Sequence, residues 1–162
     1  MMKETMKRAL LLRQQGELKQ SNLLLVQLMN RYPNDAYLEY QVAWSFDLLG
    51  EEAKAVPHYK QAIELGLEDE DLQGAIIGLG STYRTLGQYG ESKKLLETGL
   101  SQFPDNSAMK VFYAMTLYNL QDHRQAMEVL LKTITDETNN DDIKRYKKAI
   151  AFYAEHLDDV WE

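Results

Sequence analysis

Residues 73–87 read Gln73-Gly74-Ala75-Ile76-Ile77-Gly78-Leu79-Gly80-Ser81-Thr82-Tyr83-Arg84-Thr85-Leu86-Gly87. The chain continues Gln88-Tyr89-Gly90-Glu91-Ser92-Lys93-Lys94-Leu95-Leu96-Glu97-Thr98-Gly99-Leu100-Ser101-Gln102-Phe103-Pro104. In the first stretch Ile76, Leu79, Gly80 and Tyr83 fall three and four residues apart, on one face of a helix. Ser92, Leu96 and Gly99 do the same in the second. Gly87 can end the first helix by taking a left-handed conformation, and Pro104 stops the second because it lacks a donor. The stretch reads as two antiparallel helices whose small residues let the backbones approach while the large ones fill the gaps.

The same punctuation recurs along the chain. Breaks at Gln15-Gly16, Leu49-Gly50, Leu86-Gly87 and Leu120-Gln121 are spaced by 34, 37 and 34 residues. Ser21, Ala55, Ser92 and Ala126 follow five positions after each break, and Leu25, Tyr59, Leu96 and Leu130 come four later. Pro33 and Pro104 each stand 17 residues after a glycine. A period of 34 with small, large and proline marks in this order resembles the tetratricopeptide repeat. The register predicts repeats over 2–35, 36–69, 73–106 and 107–140 in a single domain, 1–162. Its fold class is all-α: a right-handed superhelix (α-solenoid) of helix-turn-helix repeats whose stacking makes one continuous core.

Beyond the fourth repeat, Ile143, Tyr146, Ile150, Tyr153 and Leu157 recur at helical spacing. This predicts a C-terminal capping helix over 141–162 that covers the exposed end of repeat 4. Repeat 2 closes on Leu65-Gly66-Leu67, and three extra residues fall in the acidic run Glu68-Asp69-Glu70-Asp71. Carboxylates there suit a helix N-terminus. Pro57 lies inside the second helix of its repeat, where it is expected to kink the helix.

Hydrophobic residues make up 44% and charged residues 27%, which excludes a disordered tail. A phosphate-backbone binder normally needs a basic balance, so the net charge of −7 argues against a nucleic-acid partner. There is no cysteine, so disulfides, thiolate nucleophiles and cysteine-ligated metals are excluded. Ala9-Leu10-Leu11-Leu12 is shorter than the roughly seven apolar residues of a signal-peptide core. No run approaches the roughly 20 residues of a membrane span, so the expected location is cytoplasmic, with no membrane partner.

No catalytic constellation emerges. His58, His123 and His156 lie in separate repeats or the cap and are expected at the surface. Gly78-Leu79-Gly80 lacks the Gly-Lys-Ser of a phosphate loop. The expectation is a non-enzymatic chain with no cofactor and no metal site.

The first helix of each repeat lines the concave surface in this register, and its side chains are the candidate peptide-binding groove. Repeat 2 contributes Tyr37, Tyr40, Trp44 and Asp47, and repeat 3 contributes Ser81 and Arg84. Repeat 4 adds Met115, Tyr118 and Asn119, and the cap adds Lys144 and Lys148. Tyr, Trp, Arg and Met are enriched at interface hot spots. Tyr40 and Val111 are equally readable as packing between neighbouring helices. Asp47 and Arg84 hold equivalent positions on adjacent repeats, so a pair across the groove is one expectation. In repeat 1, Leu10, Leu11, Leu23 and Val26 are apolar where the repeat does not need them for its own core, the mark of self-association.

Ala43-Trp44-Ser45-Phe46-Asp47-Leu48-Leu49-Gly50, Gly78-Leu79-Gly80-Ser81-Thr82-Tyr83-Arg84-Thr85-Leu86-Gly87 and Val111-Phe112-Tyr113-Ala114 resemble a small bacterial tetratricopeptide-repeat family. The resemblance runs over roughly residues 36 to 135 and includes Pro57 and the Leu65-Gly66-Leu67 turn. It implies protein–protein interaction, as a homodimer, and supplies no catalytic residue. Tyr40, Ile77 and Val111 stand where a two-carboxylate clamp would need a basic residue. The expected function is a module that binds a peptide or helix of an unidentified protein partner in its groove. The alternatives are a small cytoplasmic chaperone of a client protein and a structural self-assembly unit.

Overall fold

A computed structural model describes residues 2–161, and all regular structure among them is helical. The helices are α1 (Met2–Gln14), α2 (Leu18–Arg31), α3 (Ala36–Leu48), α4 (Glu52–Leu65) and α5 (Asp69–Thr85). They continue as α6 (Tyr89–Gln102), α7 (Ser107–Asn119), α8 (His123–Glu137), α9 (Asp141–Arg145) and α10 (Lys147–Ala154). The breaks read from the sequence are the turns observed.

Each of those turns closes in the same way. The N–H of Glu17 donates to Leu12 O at 2.9 Å, Glu51 to Phe46 O at 3.0 Å, Gln88 to Tyr83 O at 2.8 Å, and Asp122 to Leu117 O at 3.0 Å. These bonds satisfy carbonyls that a helix end leaves without partners, and they require a left-handed residue just before the donor. Gly16, Gly50 and Gly87 supply it with φ of 82°, 69° and 75°, and Gln121 takes φ 64° in the fourth.

Junctions between repeats follow the proline signal. After Pro33, Asp35 caps α3 by accepting from Leu38 N at 2.8 Å; after Pro104, Asn106 caps α7 by accepting from Met109 N at 2.8 Å. The middle junction differs. Gly66 ends α4 with φ 95°, and the inserted residues enter α5, which has 17 residues where α3 and α7 have 13. Asp69, Glu70 and Asp71 occupy its first turn, as the helix dipole favours. α4 runs unbroken through Pro57.

The chain divides into two compact units, α1–α5 up to Gln88 and α6–α10 from Tyr89. In the first, α1 packs on α2, α2 on α3, α3 on α4 and α4 on α5. Ala9, Ala43, Ala55, Ala62 and Ala75 are fully buried and permit the close crossings, while Leu25, Leu28, Leu38, Val42 and Leu79 fill the space between. Burying each of those larger side chains contributes about 1.5–3 kcal/mol. In the second unit α6 packs on α7, α7 on α8 and α10 on α8. Leu96, Met109, Ala114 and Leu117 form its core, and Ser92 Oγ meets Thr116 Oγ1 at 2.8 Å within it.

The C-terminal segment corrects one expectation. The single helix predicted over 141–162 is two short helices, α9 and α10, separated at Tyr146 with φ −102° and ψ 8°. Tyr146, Tyr153 and Leu157, expected on the buried face, are exposed; Ala154 is buried, with Ile143, Ile150 and Ala151 half-buried. The break rotates the apolar face, so small Ala154 rather than the aromatics meets the rest of the unit.

Candidate protein-binding surfaces

On α3 the buried side is made by Leu38, Gln41, Val42 and Ser45. Tyr37, Tyr40, Trp44 and Asp47 stand at steps of three and four residues along another stripe. Tyr37 and Trp44 are 38% and 42% exposed, and Tyr40 is half-buried. The rings of Tyr40 and Trp44 stack with centroids 6.1 Å apart, and Tyr40 leans on Tyr59 at 6.2 Å. Tyr40 therefore takes part in packing between α3 and α4 while keeping part of its surface exposed.

Arg13, in the last turn of α1, completes this stripe. Its guanidinium lies 4.5 Å from the centroid of Trp44, and it donates to Gln41 Oε1 at 2.7 Å and Gln41 O at 3.0 Å. Burial pulls its pKa below the ordinary value, with Tyr37, Tyr40 and Tyr59 acting the other way. Burial pushes the pKa of Tyr37 and Tyr40 up, and Asp71 adds to it. Nothing in the repeat pattern marks Arg13, because its partners lie on the next repeat and the register assigns repeat 1 to self-association.

Asp47 and Ser81 line one notch of about 160 Å³ with Glu52, Thr82 and Thr85. Tyr59 Oη donates to Asp47 Oδ2 at 2.7 Å, and Thr82 Oγ1 lies 2.9 Å from Oδ1. Burial raises the Asp47 pKa, and the two hydroxyls oppose that shift. Gly78 is what admits Tyr59: a Cβ there would lie 2.6 Å from Tyr59 Cζ. Arg84 is half-buried one turn beyond Ser81 on α5.

In the second unit, Met115 and Tyr118 are exposed on α7, at 38% and 61%, and Asn119 is half-buried beside them in sequence. Tyr118 leans on His123 with ring centroids 4.8 Å apart. Val111 is half-buried, and Lys144 and Lys148 are exposed on α9 and α10. A separate hollow of about 310 Å³ is lined by Pro104, Lys110, Tyr113, Lys132 and Thr133, among others. Its residues come from α6, α8, the turn at Pro104 and, on α7, Lys110 and Tyr113, positions that the repeat register assigns to no ligand.

Two further expectations change. Leu10 and Val26 pack against the core cluster of Met6, Ala9, Leu25, Leu28, Leu38 and Val42, so the repeat does use them; Leu11 and Leu23 remain 51% and 57% exposed. His58, expected at the surface, is part-buried: it bonds to Glu39 Oε2 at 2.7 Å and stacks on Phe46. A further aromatic patch, which no repeat position marks, lies on α10 and the residues after it. Phe152, Tyr153 and Trp161 are each more than half exposed and lie with ring centroids 5.5–6.1 Å apart.

Among the described residues no group of three or more His, Asp or Glu is placed to hold a metal ion, and no helix is long and apolar enough to cross a membrane.

Paired helices whose turns each close on a left-handed residue, spaced by 34, 37 and 34 residues, define a helical-repeat scaffold. The family model for the tetratrico peptide repeat matches residues 36–157, and the chain belongs to that family. No curated protein matches it. Among solved structures it is similar to a MamA RS-1 ArsTM double mutant, with TM-score 0.75 and 15% identity over 98% of this chain and 96% of that one. It is also similar to YrrB, described as a TPR protein with an unusual peptide-binding site, with TM-score 0.63 and 15% identity over 94% and 89% of the two chains. At such identity the likeness is one of fold.

Proposed function

We propose that the chain is a protein-binding module that holds a segment of a partner protein on the exposed stripe of α3. The observation that carries this reading is the run Tyr37, Tyr40 and Trp44, partly exposed, with Tyr40 stacked on Trp44 and Arg13 laid over the indole. Rigid aromatic side chains lose little entropy on binding, which is why they anchor interfaces. Asp47, Ser81 and Arg84 belong to the same role in the first unit. Met115, Tyr118, Asn119, Lys144 and Lys148 are assigned it in the second. A chaperone of a client protein would use the same stripe with lower sequence selectivity.

The test is selection of displayed random 12-residue peptides on the intact chain, followed by titration against Trp44→Ala. Loss of a hot-spot indole should weaken binding by about 2 kcal/mol, roughly thirtyfold. The melting temperature should move by only a few degrees, because the indole is 42% exposed. A collapse in melting temperature would make Trp44 a packing residue. Binders that ignore the substitution would take the site off α3.

A second reading is self-assembly through repeat 1, and the exposure of Leu11 and Leu23 favours it. It is compatible with the first, since the two occupy different helix positions.

A further inference from the structure

The cation beside the α3 stripe has no counter-ion among the described residues. Arg13 uses its guanidinium on Gln41, its Nε is buried without a hydrogen-bond partner, and no carboxylate among the described residues pairs with it. The ionisable groups that face it are Tyr37, Tyr40 and Tyr59. Asp71 acts on Tyr37 and Tyr40 but is not among the groups facing Arg13. A half-buried charge normally finds a counter-ion, because its lost hydration is otherwise poorly replaced. Two of its five N–H donors are occupied, which leaves the fork able to accept a carboxylate.

Charge distribution points the same way. Residues 2–31 hold six Lys or Arg against only Glu4 and Glu17, although the whole chain carries −7. The five besides Arg13, namely Lys3, Lys7, Arg8, Lys19 and Arg31, are exposed. Over the roughly 8–10 Å that charges act in physiological salt, an approaching segment meets a basic hairpin and not the acidic average.

Resting on the surface reading above, we propose that the segment held here is acidic and apolar together. An Asp or Glu side chain pairs with Arg13, and an apolar side chain within a residue or two lies against Trp44 and Tyr40. The acid is a side chain inside the segment, so a free chain terminus is not required.

The experiment uses the same displayed 12-residue library on the intact chain, on Arg13→Gln and on the charge-reversed Arg13→Glu, each first checked for helicity. Peptides from the wild type should be enriched in Asp or Glu next to Leu, Phe or Trp. Made with amidated ends, they should bind Arg13→Gln about tenfold more weakly or worse, and the loss should shrink at high salt. Selection on Arg13→Glu should turn the enrichment to Lys and Arg, a change that a purely structural arginine would not produce. Wild-type binders that depend on Trp44 but show no acidic enrichment, or that survive Arg13→Gln, overturn this proposal and leave the surface standing. A library without binders, or with binders indifferent to Trp44→Ala, overturns both. If neither Arg13 variant is helical, binding of the wild-type peptides that is insensitive to salt overturns the proposal, and loss of binding with added salt supports it.

Discussion

Tyr59 on α4 donates its hydroxyl to Asp47 on α3 at 2.7 Å, and Thr82 on α5 reaches the other carboxylate oxygen at 2.9 Å. One carboxylate thus joins three successive helices of the first unit. Tyr59 is 2% exposed and Asp47 half-buried, so removing the hydroxyl leaves the carboxylate short of a donor that water replaces poorly. Tyr59→Phe should cost about 1.5–3 kcal/mol, the usual range for a hydrogen bond to a charged group, measured by urea unfolding. A cost below a few tenths would show that the bond contributes nothing net.

The same carboxylate has a signed pH dependence. Burial raises the folded-state pKa of Asp47 above the ordinary value near ~3.9. Between those two values the folded chain keeps a proton that the unfolded chain has released. The Asp47 contribution to stability therefore falls as pH rises through that window and is constant above it. Carbon-13 titration of the Asp47 carboxyl should give a midpoint above the ordinary one. Tyr59→Phe should move it further up, since that hydroxyl is one of the two groups holding it down. A midpoint at or below the ordinary value contradicts the burial argument.

Two glycines on α5 should respond oppositely to the same change. Glycine in a helix costs about 1 kcal/mol relative to alanine, so each begins with that gain available. At Gly74 the new methyl meets the hydroxyl end of Tyr40, a half-buried side chain that can shift. At Gly78 it meets Tyr59 Cζ at 2.6 Å and Cε1 at 2.8 Å, on a ring held by Asp47. Gly74→Ala should be neutral or stabilising. Gly78→Ala should destabilise by about 1–3 kcal/mol through overpacking. Equal thermal shifts for the pair would refute the distinction.

The fourth turn shows how much of the fold is legible in the sequence. Gln121 is recognisable as a break only because Leu120-Gln121 stands one period after Leu86-Gly87, and it takes φ 64° where the other three turns have glycine. Repeats are legible because turn chemistry and small residues recur in phase, each with a local cause. The placement of Arg13 over Trp44 is not, because it depends on how α1 lies beside α3 and leaves no period. Gly78 stands in plain sight beside Gly80, yet only the position of Tyr59 shows what its missing Cβ admits. The split of the last helix at Tyr146 is hidden by an apolar spacing that continues through it.

Gln121→Gly should stabilise the chain. A left-handed conformation costs an L-residue about 1–2 kcal/mol, and glycine's greater unfolded freedom cancels about 0.5–1 of that. The net expectation is a gain of about 0.5–1 kcal/mol, read as a higher melting temperature. The substitution also removes the hydrogen bond between Gln121 Oε1 and His123 Nε2, which is exposed and long at 3.2 Å. A fall in stability would mean that this bond outweighs the backbone strain.

The apolar residues of repeat 1 now separate into two pairs with different expected behaviour. Leu11 and Leu23 are 51% and 57% exposed, so Leu11→Glu with Leu23→Glu should leave stability within about 0.5 kcal/mol of wild type. Leu10 and Val26 pack against the core cluster, so Val26→Glu should place a carboxylate against that apolar cluster and lower the melting temperature sharply. If repeat 1 mediates a dimer, the exposed pair of substitutions should shift sedimentation from dimer to monomer while circular dichroism stays unchanged. The two variants must be compared because loss of a dimer in Val26→Glu would report unfolding and not the interface. A wild-type chain that sediments as a monomer at the highest concentration it tolerates ends the self-assembly reading. A dimer that survives both substitutions moves it to another surface, and the exposed rings of Phe152, Tyr153 and Trp161 are then the next to substitute.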